Sequence, residues 1–352
     1  MNMINRLLKI ITSLGLFSFI VSCASITSLK LDVLRPATIS IDPEILSVVV
    51  VDKSLPYRGE NVHSVTIPSG TAIIDTLWID DFSQIAAESM FNTLQLKMFF
   101  DTVCYHNNVE NRYLVERGFI PEEILREIIE DLCYIHNVQA VVFLESYKYK
   151  TALSLLDLKD VYYGSLDVNG SIFWKMYDER GNLLDMFVQT DSIFWDTTGN
   201  RFSAILKELP AQTVAVETLA EYLGETYIGR ISPYWETVSR KYYSKGHHLF
   251  ERANDLHFAN NWNEAAKVWY YVYQNGNKPQ KARAAFNIAL SYEVRGDFEE
   301  ALAWSEINNR MINKMGSFRV SNYEKHISKM YNIQLIERQQ QKKKLDEQLG
   351  PQ

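Results

Sequence analysis

Apolar residues in the first two thirds of the chain come in continuous or alternating runs; past about residue 235 they recur every three or four positions. Ile45–Val51 (ILSVVVV) is a continuous β-branched run closed by Asp52, the pattern of a strand buried on both faces. Residues 53–80 are punctuated by Pro56, Gly59, Pro68 and Gly70, with a short strand predicted at Ala72–Ile79. From Phe82 to Phe100 the residues Ile85, Ala86, Met90, Leu94 and Met98 recur mostly every four positions, which predicts a helix capped by Asp80 or Asp81. A second helix is predicted from Pro121-Glu122-Glu123 to about Tyr134, because proline suits the first turn and acids suit the positive end of the helix dipole. Strands are predicted at Ala140–Tyr149, Ser165–Tyr177 and Leu183–Trp195, the last two joined through the five residues 178–182. Parity puts Ile172, Trp174 and Met176 on one strand face and Phe173, Lys175 and Tyr177 on the other. A helix is expected over 203–222, kinked or split at Pro210. This order of elements predicts an α/β (α+β) sheet domain over 41–235.

The remainder predicts helices and contains a near-repeat. Asn261-Trp262-Asn263-Glu264-Ala265-Ala266 matches Asp297-Phe298-Glu299-Glu300-Ala301-Leu302 at an offset of 36 residues, each block lying between two helical stretches. This resembles the tetratricopeptide repeat, a helix–turn–helix unit of about 34 residues. The second copy has Ala289, Tyr292, Gly296, Phe298 and Ala301 at the family's small, aromatic, glycine, aromatic and alanine positions. The first matches at Ala253, Trp262 and Ala265 but carries Leu256 for the tyrosine and Asn260 for the glycine. Two repeats need capping helices, and Ser321–Ile336 is the evident one. An all-α, tetratricopeptide-repeat-like domain is therefore expected over 236–336, followed over 337–352 by a polar tail, a fraying helix without a core face.

The N-terminus carries a different signal. Leu7–Val21 is an apolar run behind Arg6, broken by Lys9 and ending in Ile20-Val21-Ser22-Cys23, which has the form of an export leader. The run is short of the roughly 20 residues of a membrane span. Its end resembles the bacterial lipobox, which implies removal of residues 1–22 and lipidation of Cys23. Residues 23–40, rich in Ser, Thr and short aliphatics, are then expected to be a tether.

Composition narrows the function classes. Apolar residues make up 47 % and charged residues 22 % of the 352, so most of the chain should fold. The formal charge of -7 becomes -9 without Arg6 and Lys9, and the one basic block is Lys342–Lys344, which argues against nucleic-acid partners. Aromatics at 12 % suggest filled layers or an interaction surface. Cys104 and Cys133 would either form a single bridge in an oxidising periplasm or remain buried thiols.

No phosphate-binding glycine loop, nucleophile elbow or metal-ligand set is present, so no catalytic residue, cofactor or metal is expected. The acids Asp75, Asp80 and Asp81 are explained by a cap and a turn; His247 and Glu251 have i,i+4 spacing but no further ligand. Trp269, Tyr270, Tyr271, Tyr273 and Trp304 are expected mostly to pack. By analogy with tetratricopeptide solenoids, a partner-binding groove would present His248, Glu251, Arg252, Asp255, Asn287 and Ser291.

Taken together, the lipobox, the hairpin SIFWKMYDERGNLLDMF and the repeat pair resemble an uncharacterised lipoprotein family of Bacteroidetes. The sheet domain is more loosely similar to periplasmic α/β domains of curli-secretion and penicillin-binding-protein-activator lipoproteins. The resemblance implies a non-catalytic scaffold or adaptor, lipid-anchored at the outer membrane and binding envelope proteins. Ala24–Ser28 lacks acids, which favours the periplasmic face. The competing expectation is a solute- or glycan-binding lipoprotein with an aromatic pocket in the sheet domain.

Overall fold

A computed structural model describes residues 26–56, 62–75, 81–107 and 124–350. The chain forms two compact units: Pro36–Tyr234 with Leu345–Gln352, and the chain up to Arg35 with Trp235–Lys344. In chain order the first half holds β1 (Ile26–Arg35), β2 (Ser47–Pro56), β3 (Val62–Ile67), β4 (Gly70–Asp75), α1 (Phe82–Lys97), β5 (Thr102–Asn107), α2 (Arg126–His136) and β6 (Ala140–Asp157). Then come β7 (Tyr162–Asp178), β8 (Leu183–Gly199), α3 (Phe202–Glu208), α4 (Gln212–Ile231) and β9 (Tyr234–Tyr243). The helices α5 (His248–Phe258), α6 (Trp262–Asn275), α7 (Lys278–Arg295), α8 (Phe298–Asn313) and α9 (Asn322–Leu349) complete the chain.

The first unit is a mixed seven-stranded sheet with helices. Its long strand β6 pairs antiparallel with β7 along its whole length, and β7 pairs antiparallel with β8. The other edge of β6 is shared: β2 runs parallel to Ala140–Tyr147 and β3 parallel to Lys150–Ser154, while β5 runs parallel on the far side of β2. The β-branched run explains why β2 is central, since both its faces are covered. Val48 and Val50 join the core formed with α1 and α4, and Val49 and Val51 join a second core with Ile129, Leu132 and Cys133 of α2. Helices α1 and α4 approach closely at Gly224, where an added Cβ would stand 2.1 Å from the Ala86 carbonyl oxygen. The predicted helix over 203–222 is split: α3 ends before Pro210 and α4 begins after it, as expected of a residue without an N–H.

The second unit is helical except for a two-stranded sheet of β1 and β9. The two near-repeat copies occupy equivalent places. Ala253 and Ala289, and likewise Ala265 and Ala301, are fully buried, while Asn261 and Asp297 stand at the N-cap positions of α6 and α8. Gly296 ends α7 in the left-handed conformation (φ +81°), and Asn260 takes φ +56° at the corresponding position. Asparagine is among the few side chains that tolerate this region, which accounts for the departure from glycine in the first copy.

Two expectations need correction. The segment read as a tether is strand β1 over Ile26–Arg35, tied to its partner by Thr27–Ser244 (2.6 Å) and Thr237–Asp32 (2.5 Å) side-chain hydrogen bonds. The tail is helical as far as Leu349, as expected, but it is not without a core face, since Arg338, Leu345 and Gln348 are buried. Its polar side chains serve the backbone: Arg338 donates to the Leu34 carbonyl (2.9 Å), and the Gln348 amide accepts from Ala37 N–H (2.9 Å) and donates to Ala37 C=O (3.1 Å). Strands β3, β5 and β9 add to the elements expected from the sequence. Cys23, the helix start at Pro121–Glu123 and the cap candidate Asp80 lie outside the described residues.

Candidate functional site

The groove residues separate into two groups. His248, Glu251, Arg252 and Asp255 lie exposed on α5. Asn287 and Ser291 are fully buried on α7, which removes them from any groove. Asn287 instead behaves as a strand neighbour: its Oδ1 accepts from Tyr243 N–H (2.8 Å) and its Nδ2 donates to Tyr243 C=O (2.7 Å). Ser291 donates to the Ile288 carbonyl (2.7 Å). A buried polar side chain must find such partners, and sequence periodicity cannot show whether they are solvent or backbone. His247 accepts from Leu249 N–H as the cap of α5.

Of the rings on α6, Trp269 is core, whereas Tyr270 and Tyr271 are 46 % and 58 % exposed. Tyr270 and Tyr273 both pack edge-on against Trp304. The thiols of Cys104 and Cys133 are free. Burial, with Glu179 and Asp178 nearby, pushes Cys133 up to about 11, the signature of an inert packing thiol. His106 and His136 meet at 3.0 Å between ring nitrogens; among the described residues no group of three or more His, Cys, Asp or Glu side chains could hold a metal ion.

A cleft of about 550 Å³ in the sheet unit was not foreseen at residue level. It is lined by Phe187 and Gln189 of β8, the last turns of α1 and α4, Thr38 and Tyr234, with β7 packed behind. Trp174 on β7 is fully buried and stacks on Tyr227 of α4 with ring centroids 4.9 Å apart. Its indole N–H donates to Gln189 Oε1 (3.0 Å), and the Gln189 amide donates to Thr226 Oγ1 (2.5 Å). One turn on, Arg230 makes a bidentate pair with Asp185 (2.6 and 2.8 Å), which also accepts from the Tyr227 hydroxyl at 2.9 Å. Burial, then the neighbouring Asp185 carboxylate, raises Tyr227 well above the ordinary tyrosine value, so it stays a donor. The Arg230 guanidinium lies 4.1 Å over the Phe187 ring. Gly229 leaves room for the Tyr234 ring, 3.2 Å from where a Cβ would be. Lys97 and Glu225 stand exposed at the rim.

Aromatic faces alternate with amide and hydroxyl groups, and the charge of Arg230 is already matched by Asp185. The polar groups are tied to one another in a chain that fixes their orientation before anything arrives. The sequence hint was the parity of Trp174 in an aromatic hairpin; what it could not show was that Gln189, fifteen residues away, and α4 would close over the same face.

The chain thus comprises a mixed sheet unit that carries this cleft and a helical unit. The chain belongs to the family described as Domain of unknown function (DUF8603), whose model matches residues 45–243. A second family, Domain of unknown function (DUF6340), matches residues 251–337. No curated protein matches the chain in sequence. Among solved structures it is similar to a protein described as a neuraminyllactose-binding hemagglutinin homolog from Helicobacter pylori, at 10 % identity and a TM-score of 0.26, over 53 % of this chain and 81 % of that one. Another similar structure is of an uncharacterized protein, at 8 % identity and a TM-score of 0.21, over 53 % of this chain and 92 % of that one. Among the described residues no helix is long and apolar enough to cross a membrane.

Proposed function

We propose that this chain is a non-catalytic envelope lipoprotein, anchored through Cys23 at the outer membrane, whose sheet unit binds a neutral polyhydroxylated ligand such as an oligosaccharide. The observation that carries the reading is the cleft wall in which Phe187 and Tyr234 present rings beside a guanidinium neutralised by Asp185. A sugar ring offers an apolar face to stack and hydroxyls to exchange with fixed amide and hydroxyl groups, and it brings no charge. Lys97 and Glu225 at the rim are of opposite sign, so the cleft has no net charge to select an ion. The volume lies within the range of roughly 300–1,000 Å³ usual for ligand sites.

The test is calorimetric titration of the protein with neutral oligosaccharides and with singly sialylated ones, repeated on Phe187→Ala and Tyr234→Ala. Neutral sugars should bind better than charged ones. Removing either ring should weaken binding about tenfold, the equivalent of one good stacking contact. Binding that ignores both substitutions, or none at millimolar sugar, would end the reading.

The adaptor reading keeps one specific support. Tyr270 and Tyr271 are large exposed rings on α6 of the tetratricopeptide-like pair, beside the exposed charges of α5, and tyrosine is enriched at protein interfaces. This reading retains the resemblance to Bacteroidetes lipoproteins and makes envelope proteins the partners. Crosslinking that captures defined envelope proteins from the wild type, but not from Tyr270→Ala with Tyr271→Ala, would favour it over sugar binding.

A further inference from the structure

The described charge of the helical unit is uneven in a way the sequence conceals. Three helix ends meet at one place. Asn308 of α8 donates to the Ala282 carbonyl at the start of α7 (2.7 Å), Arg283 of α7 pairs with Glu324 at the start of α9 (2.8 Å), and Ser328 of α9 donates to Asn308. The two segments that build this end, 275–283 and 306–329, contain eight Lys and Arg residues against two acids, Glu306 and Glu324. Glu324 is buried against Arg283. This stands in a chain whose formal charge is -7.

At its tip, between α8 and α9, a cleft of about 420 Å³ is floored by Met311 and Met315 and rimmed by Lys278, Lys314, Phe318 and Arg319. The Phe318 side chain is fully exposed. The three rim cations make no ion pair among the described residues. An exposed phenyl ring among unpaired cations, over a methionine floor, is the composition that enters the boundary between anionic headgroups and acyl chains.

The position of the N-terminus adds an independent argument. Thr27 Oγ1 lies 2.6 Å from Ser244 Oγ, and two residues on, the Gly246 carbonyl accepts from Gln280 Nε2 at 3.4 Å. Gln280 is in the first turn of α7, beside Lys278 of the cleft. The chain therefore enters the unit at the same end as Phe318. Cys23 precedes Ile26 by three residues, a reach of roughly 10 Å.

We infer that this end of the helical unit is a second membrane contact, in which Phe318 inserts into an anionic lipid surface and Lys278, Lys314 and Arg319 sit on its headgroups. A basic patch is a recognised membrane signal beside a lipid anchor. The inference rests on the reading of Cys23 as the anchor, and the two are separable by experiment. Acyl labelling of the whole chain, lost in Cys23→Ser, tests the anchor alone. The surface is tested on the chain from Ala24 onward, which carries no lipid and keeps every described residue, by co-sedimentation with vesicles of phosphatidylcholine alone or with one third phosphatidylglycerol.

Binding should require phosphatidylglycerol and weaken with salt. It should fall roughly tenfold in Phe318→Ala, and about fivefold for each cation removed near the surface. Lys314→Glu with Arg319→Glu should therefore abolish it. Reversing Lys342–Lys344, roughly 30 Å along α9 from its start, should change it little. Lys278, Lys314, Phe318 and Arg319 are exposed, and circular dichroism checks that every variant, the Lys342–Lys344 reversal included, is folded. Equal binding to both vesicle types, equal loss from the Lys342–Lys344 reversal, or an unaffected double reversal overturns the inference. So does a protein that ignores both vesicles while an acidic peptide protects Lys314 and Arg319 from modification, since the surface would then serve a polypeptide.

Discussion

Replacing Asn287 by alanine separates a groove residue from a structural one. In a binding groove the change would cost ligand affinity and leave stability alone. In the structure Asn287 is fully buried and brackets both backbone groups of Tyr243. Alanine would leave a buried N–H and a buried C=O unmatched, at about 1–3 kcal/mol each. The expected loss is about 3 kcal/mol, because the site relaxes in part. Asn287→Asp should be no better, since it keeps the acceptor but loses the donor and buries a charge. A chain of two compact units need not unfold in one step, so a global melting curve is a poor measure. Hydrogen exchange of the β9 peptide is the better one: about 3 kcal/mol corresponds to roughly a hundredfold faster exchange of the Tyr243 amide. Glu251→Ala, on the exposed face of α5, serves as the reference and should change exchange little. If Asn287→Ala exchanges like the wild type, the two Asn287–Tyr243 backbone hydrogen bonds do not hold the end of β9.

Two further outcomes follow from the packing and the charges. Gly224→Ala should destabilise the sheet unit by at least the roughly 1–3 kcal/mol usual for overpacking, because the new Cβ meets the rigid Ala86 carbonyl; the measure is the urea midpoint, with an unchanged value refuting the close approach. The helical unit should lose stability in two stages on acidification. Burial holds His257 below its ordinary 6.5, so the unfolded chain takes that proton first, and its contribution is whole above pH 6.5 and declines below it. Burial alone would raise Glu324, but hydrogen bonds from Arg283 and Ser321 outweigh it and hold the carboxyl below 4.5; its contribution is whole above that value and is lost as pH falls through the folded-state value. Glu324→Gln should flatten the lower stage of the exchange–pH profile and His257→Phe the upper, and a profile unchanged in both would refute the assignment.

What could be read in advance follows the range of the interaction behind each element. The two long hairpin strands, the α1 periodicity and the repeat pair are local patterns, and the structure extends or trims them without moving them. The split at Pro210 is equally local. The failures all involve partners far away in sequence. In β1, Leu29, Leu31 and Val33 do alternate with Lys30 and Asp32, yet a single edge with its partner some 200 residues on reads as a linker. Asn287, Arg338 and Gln348 failed for a related reason: each is a polar residue whose partner is backbone elsewhere in its own unit, and polarity alone reads as exposure. The basic end of the helical unit repeats the lesson with charge. Its eight cations lie in two separated segments of an acidic chain, and only the meeting of α7, α8 and α9 brings them together. The cleft at Arg230 needs both kinds of information, a local hairpin to set the parity of Trp174 and Phe187 and a distant helix to deliver the guanidinium. A site made in that way is visible as a surplus of aromatic residues long before it can be given an address.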